Sequence, residues 1–186
     1  MRHVVFVGPQ GAGKGTQAAA VAPRLRLVHL ATGDLFRALM NSDSALASEV
    51  RAYYDAGNLV PDELTARVLF AALDDAAASN PRGALIDGFP RNRTQAAVLD
   101  EQISARGELL AAVVHIDVPR AVLMERLAGR LICRSCGRAY HRTFQPPARE
   151  GICDICGGEL YQRSDDTEEA VARRLDIYYS QTEPLL

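Results

Sequence analysis

The stretch Val4-Val5-Phe6-Val7-Gly8-Pro9-Gln10-Gly11-Ala12-Gly13-Lys14-Gly15-Thr16 decides how the rest of the chain is read. Its four leading apolar residues, three of them β-branched, predict a buried strand. The glycine-rich run predicts a tight turn, and the apolar spacing from 13 to 25 a helix. Gly8, Gly13 and Lys14 satisfy G-x-x-x-x-G-K, although Gly15 separates the lysine from the Thr16 hydroxyl that the strict pattern places directly after it. Glycines there allow successive N–H groups to turn inward, making an anion cradle at a helix N-terminus. Of the 21 Lys+Arg residues, 20 are Arg and Lys14 is the sole lysine. A compact ammonium can follow phosphate oxygens where a planar guanidinium would not fit.

Working outward, short apolar runs alternate with longer helical patterns. Residues 28–30, 84–86 and 111–117 read as strands, the last as the cleanest buried one. Helices are expected over 32–40, 45–56, 61–78, 95–106 and 119–131, with Pro61 in a first helical turn. Another begins near Asp166, where Glu169 completes a capping box and Val171, Leu175 and Tyr178 share a face. Strands alternating with helices predict an α/β parallel sheet flanked by helices. Residues 132–163 break the pattern, losing aliphatic periodicity and gaining Cys, Gly, Pro and Arg. His3, His29 and His115 lie in or beside strands, as core or edge residues.

Bulk properties exclude several classes. The chain has 186 residues, 48% of them hydrophobic and 24% charged, which suits one compact domain with an inserted module and argues against wholesale disorder. A net charge of −2 argues against a nucleic-acid-coating or polybasic membrane-binding protein. Neither the opening residues nor the run 109–114 has the length of a signal core or a membrane span. The expected location is the cytoplasm.

The four cysteines form two pairs, Cys133-x-x-Cys136 and Cys153-x-x-Cys156, with 16 residues between the pairs. That spacing fits a tetrahedral four-thiolate zinc site, closed to water and therefore structural. The insert has too few aliphatic residues to fold on its own core, so a metal would substitute for one. Asp87, at the end of an apolar strand, is placed to orient the waters of a Mg²⁺ ion.

With Gly13-Lys14-Gly15-Thr16, Thr32-Gly33-Asp34 and Arg37, Asp87-Gly88-Phe89-Pro90-Arg91, Gly129-Arg130 and Arg163-Ser164-Asp165-Asp166 in order, the chain resembles the adenylate kinase family over nearly its whole length. Gln10 departs from the proline usual there. The resemblance implies a P-loop NTPase-type core at 1–30, 61–126 and 165–186, a helical AMP-binding segment at 31–60, and a zinc lid at 127–164. It also implies Mg²⁺-dependent transfer of the terminal phosphoryl group of ATP to AMP by a monomer, without nucleic-acid or membrane partners. Lid closure would exclude water. By resemblance, Gly11, Ala12, Gly13, Lys14, Gly15, Thr16, Arg130, Ala139 and Tyr140 would bind ATP. Thr32, Arg37, Asn58, Leu59, Val60, Gly88, Phe89, Pro90, Arg91, Gln95, Arg163 and Arg174 would bind AMP. Catalysis would fall to Lys14, Asp87, Arg91, Arg126, Arg130, Arg163 and Arg174. Gln95 carries both a donor and an acceptor for an adenine edge.

Two alternatives share the loop: a kinase for another nucleoside monophosphate, and a P-loop ATPase whose zinc ribbon binds nucleic acid. The family also continues past the equivalent of Leu186 with another sheet strand and a final helix, so an exposed apolar sheet edge and an incomplete ATP adenine pocket are expected.

Overall fold

The computed structural model describes residues 1–55, 60–79, 81–162 and 168–186. Asn58, Leu59, Arg163, Asp165 and Asp166 lie outside the described residues. The chain forms two compact units: Met1–Val7, Lys14–Ile116 and Gln181–Leu186 make one, and Gly8–Gly13 with Asp117–Ser180 the other.

In the first unit, β1 (Arg2–Val7), β2 (Leu27–Ala31), β3 (Gly83–Asp87) and β4 (Leu109–His115) form a parallel sheet in the order β2-β3-β1-β4. Parallel neighbours require crossovers. These are supplied by α1 (Lys14–Leu25), α2 (Thr32–Met40), α3 (Ala45–Asp55), α4 (Asp62–Ala77) and α5 (Arg93–Ala105). Both faces of β1 are covered, as a near-continuous apolar strand demands. Val5 and Val7 pack with Leu30, Ile86, Leu69, Leu73, Leu99 and Ile103. On the opposite face Phe6 and Leu85 meet Ala18 and Ala22 of α1. Pairing sets Ala31 beside Asp87, Phe6 beside Asp87, and Val7 beside His115. The carboxyl ends of all four strands therefore share one edge, where open α/β sheets place ligands.

Three expectations change. The strand expected at 111–117 spans Leu109–His115 and is mostly exposed, with Leu109 at 53% and Val113 at 52%. It is the last strand in the order and, among the described residues, pairs only with β1, so an apolar run that reads as buried lies at an edge. The helix expected over 119–131 is α6, Arg120–Ala128. It stops at Gly129, where a Cβ would lie 2.4 Å from the His141 ring, and Arg130 opens a strand instead. Pro61 caps α4 from outside rather than joining its first turn.

In the second unit β5 (Arg130–Cys133), β6 (Ala139–His141) and β7 (Leu160–Tyr161) form an antiparallel sheet in the order β6-β5-β7. Its buried core is Cys133, Tyr140, Cys153 and Leu160, so two of its four members are cysteines. Helix α7 (Glu168–Ile177) buries Val171 and Leu175, and Tyr178 is buried in the wider turn Tyr178–Thr182 that follows. Among the described residues no helix is long and apolar enough to cross a membrane.

Candidate functional site

The phosphate loop leaves β1 at Gly8, and α1 begins at Lys14. Gly13 adopts a φ of +96°, a left-handed conformation that a side chain would strain. The first turn of α1 contains no acidic residue, so its orphan N–H groups and positive dipole end are not neutralised from within the helix. The Lys14 ammonium lies 3.9 Å from Asp87 Oδ1, and His29 Nε2 lies 4.0 Å from Asp87 Oδ2. Burial pushes the Asp87 carboxyl above its usual value, opposed by the charges of Lys14, His29 and Arg91. His29 Nε2 is buried and, among the described residues, has no hydrogen-bond partner. In the sequence His29 reads as a core or edge residue; only the parallel register of β2 and β3 brings it to the carboxylate.

A second cluster gathers beyond the end of β3. Gly88, with φ +83°, brings its backbone so close that a Cβ would meet Thr32 Oγ1 at 2.6 Å and Arg91 Nη2 at 3.2 Å. Buried Thr32 donates to the Gly88 carbonyl at 3.1 Å, and Arg91 Nε donates to the same oxygen at 2.7 Å. Arg91 Nη2 reaches Thr32 Oγ1 at 3.4 Å, while the Arg91 carbonyl accepts from the Thr182 hydroxyl at 2.7 Å. Arg37 is exposed and pairs with Asp34 one turn back. Thr32, Gly88, Arg91 and Gln95 thus come together. Phe89 does not join them as a side chain, because its ring is buried in the main core. Val60 packs against the α3–α4 apolar cluster.

Of the remaining sequence-expected arginines, Arg126, Arg130 and Arg174 sit in the second unit. Arg126 is exposed in the last turn of α6, and Arg130 is half-buried at the start of β5. Arg174 Nη1 donates to Gln10 Oε1 at 3.0 Å, so the departure from proline gives the loop a side-chain acceptor. Ala139 is exposed on β6. The Tyr140 ring belongs to the small core, and its hydroxyl lies 2.8 Å from the Asp154 N–H and 3.4 Å from Cys153 Sγ. Its hydroxyl therefore faces the cysteine cluster.

The four cysteine sulfurs all lie within 4.8 Å of one another, with Cys133–Cys156 at 3.5 Å and Cys136–Cys153 at 3.6 Å. Four sulfurs at about 2.3 Å from one zinc ion stand about 3.8 Å apart, so this donor set fits the ion, whereas a disulfide needs about 2.05 Å. The N–H groups of Cys136 and Ser135 hold the Cys133 thiol below its ordinary value. Cys153 is brought down to about 6, foremost by the Tyr140 hydroxyl and then by the N–H groups of Cys156 and Ile155. The Gly158 N–H favours the Cys156 thiolate, yet the Cys136 and Cys133 sulfurs push that thiol up to about 12. All four sulfurs could ionise at this spacing only around a cation.

Comparison with known proteins agrees with this layout. The family model described as adenylate kinase matches residues 6–186. The adenylate kinase of Streptomyces avermitilis is 49% identical over 185 residues, covering 99% of this chain and 83% of its own length. That of Streptomyces lividans is 48% identical over 187 residues, covering 99% and 91%. That of Desulfitobacterium hafniense is 50% identical over 184 residues, covering 99% and 84%. A lysine-bearing phosphate loop, an acidic strand end, an arginine–glutamine cluster and a four-cysteine insert stand on one sequence that matches these enzymes along nearly its full length, and the chain belongs to the adenylate kinase family.

Proposed function

We propose that the chain catalyses ATP + AMP ⇌ 2 ADP with Mg²⁺ entering as part of the ATP substrate. The observation that carries the reading is the Lys14 ammonium at a helix N-terminus, 3.9 Å from a half-buried carboxylate at the end of the neighbouring strand. An oxygen of the AMP phosphate attacks the γ-phosphorus of ATP, the bond to the β–γ bridging oxygen breaks, and ADP leaves without a covalent enzyme intermediate. Such a reaction calls for positioning and charge neutralisation. Gly11–Thr16 hold the ATP phosphates, and Lys14 follows the transferred group. Asp87 orients water ligands of the incoming Mg²⁺. Arg37 and Arg91 clamp the AMP phosphate, and Gln95 meets the adenine edge. Thr32 and Gly88 shape that site, to which the backbone of 58–60 and of 89–90 also contributes. Arg126, Arg130, Arg163 and Arg174 neutralise the remaining oxygens, with Ala139 near the ATP nucleoside.

Residues 31–60 form the AMP-binding segment and 127–164 the lid, whose closure keeps water from the γ-phosphoryl group. Cys133, Cys136, Cys153 and Cys156 hold Zn²⁺, which when bound supplies folding energy to a segment with little apolar core. The chain acts as a cytoplasmic monomer. ADP formation from ATP is measured with AMP, UMP, CMP or no acceptor. The expected result is two ADP per AMP consumed, much slower turnover with the pyrimidine nucleotides, and no phosphate release without an acceptor. Acceptor-independent ATP hydrolysis as the main activity refutes the reading.

A further inference from the structure

Gln95, only 6% exposed, is held by a closed network whose members have fixed hydrogen-bonding roles. Asn92 caps α5, its Oδ1 accepting from the Gln95 backbone N–H at 2.8 Å. The Asn92 side-chain amide donates to both oxygens of Asp62, at 3.2 and 3.0 Å. Gln95 Nε2 donates to Asp62 Oδ1 at 2.6 Å, and Gln95 Oε1 accepts from the Arg91 backbone N–H at 2.8 Å.

We propose that Asp62 is a specificity-determining positioning residue, fixing which end of the Gln95 amide donates and which accepts, so that the acceptor site takes a 6-amino purine nucleotide and rejects a 6-oxo purine nucleotide. The inference rests on Gln95 meeting the acceptor base, as read above. A carboxylate only accepts and a backbone N–H only donates. Turning the amide over would set Oε1 against the Asp62 carboxylate and Nε2 against the Arg91 N–H, losing both bonds and creating two repulsions. The carboxylate bond is the stronger of the two because one partner is charged.

The network uses one of the two amide hydrogens and one of the two carbonyl lone pairs. What remains is a donor and an acceptor in fixed order. Adenine presents an amino donor beside a ring-nitrogen acceptor. Hypoxanthine presents a carbonyl acceptor where adenine has the amino group, with an N–H beside it on the pairing edge. Only an overturned amide would match hypoxanthine, and Asp62 opposes that orientation. An Asn at 62 can donate or accept, so it supports either orientation of Gln95.

The test compares AMP with inosine 5′-monophosphate as acceptor, and as competing ligand against AMP, in the wild type and in Asp62→Asn, Asn92→Ser and Gln95→Ala. Wild type is expected to favour AMP by about 10- to 100-fold, the range for one bidentate pair. In Asp62→Asn the KM for AMP rises while the KM or Ki for the inosine nucleotide falls, shrinking the preference by about 10-fold. Asn92→Ser keeps a cap for α5 but releases Asp62, and shifts the preference the same way by a few-fold. A purely structural role would weaken both nucleotides alike, so parallel losses or an unchanged preference in Asp62→Asn overturn the inference. Gln95→Ala separates the two levels: a wild-type KM for AMP refutes Gln95 as the base reader, and this inference with it. A raised KM in Gln95→Ala beside an unchanged preference in Asp62→Asn refutes the role of Asp62 alone.

Discussion

Replacing Tyr140 by Phe tests the cysteine cluster at the level of one proton. The Asp154 N–H, 2.8 Å away, donates into the phenol oxygen, so the hydroxyl hydrogen is left to point at Cys153 Sγ, 3.4 Å away. Phenylalanine keeps the ring in the small core formed with Cys133, Cys153 and Leu160, and removes only that donor. Outer-shell hydrogen bonds to metal ligands are worth about 10- to 100-fold in metal affinity, and the zinc dissociation constant should rise by that factor. The effect has a pH signature. The hydroxyl is the foremost cause that brings Cys153 from 9.0 to about 6, so without it the thiolate forms at higher pH. Metal ligands bind deprotonated, so the variant's defect should be full at low pH, where both thiols are protonated, shrink as pH rises through their titrations, and close once both are ionised. Competition with a chromophoric chelator across pH gives the affinity. Cobalt substitution gives an independent reading, because the thiolate-to-metal charge-transfer band should move when one sulfur loses its donor. Equal affinity for zinc at every pH, with an unmoved cobalt band, refutes the reasoning.

Lys14→Met should lower kcat by at least about 10²- to 10³-fold, as for removal of one transition-state donor, with the circular dichroism of the wild type; near-normal turnover would remove the loop from the mechanism. Asp87→Asn should slow transfer yet raise the melting temperature at pH 7. Burial lifts the folded pKa of Asp87 above its unfolded value, so the stability this group contributes is complete below the unfolded value and is lost as pH rises through the folded one. The advantage of Asn should therefore shrink as the melts are repeated toward pH 4, and an unchanged or lower melting temperature at pH 7 contradicts it. Gln10→Glu should turn the present 3.0 Å bond from Arg174 to a neutral amide oxygen into an ion pair that holds Arg174 more tightly, costing about fivefold in kcat if Arg174 must leave to meet phosphate. Steady-state rates that match wild type would mean that Arg174 does not make that exchange.

What was legible in the sequence was local. The β1–loop–α1 segment is set by neighbouring residues, and its strand, turn glycines and lysine were readable from 13 consecutive positions. The cysteine pairs were readable for the same reason, since each knuckle closes within four residues. What pairing and packing decide was not. The apolar run of β4 announced a strand but not its place at the sheet edge, which depends on the order of four strands. The end of α6 depends on a His141 ring that arrives 12 residues later. Tyr140 carries no sign that its hydroxyl will face Cys153. Asp62 lies 33 residues from Gln95, and Gln10 lies 164 from Arg174. His3 read as a core or edge residue. It is fully buried, with Nε2 2.8 Å from Glu108 and Nδ1 accepting from the Ala84 N–H at 3.2 Å, a pairing that only the sheet creates.

The near-total use of arginine takes on a physical sense beside the one lysine. Arg91 spreads its guanidinium over a carbonyl and a hydroxyl held in one plane of approach. Arg106 uses two nitrogens on the two oxygens of Asp74 while lying 5.1 Å from the Phe70 ring, and Arg134 bonds Glu159 while stacking 4.2 Å over Tyr161. Each contact needs a flat, multidentate cation, and a lysine at any of them would keep the charge and lose the geometry. Exposed ion pairs of this kind add little stability, with a median of about 0–1 kcal/mol, so what the arginines supply is orientation. The phosphate loop has the opposite requirement. A group that must stay with a phosphoryl unit as its oxygens rearrange is better served by a rotating point charge than by a fork aligned to one set of acceptors. Lys14 stands at that position, 3.9 Å from Asp87, close enough for the carboxylate to hold its charge before substrate arrives.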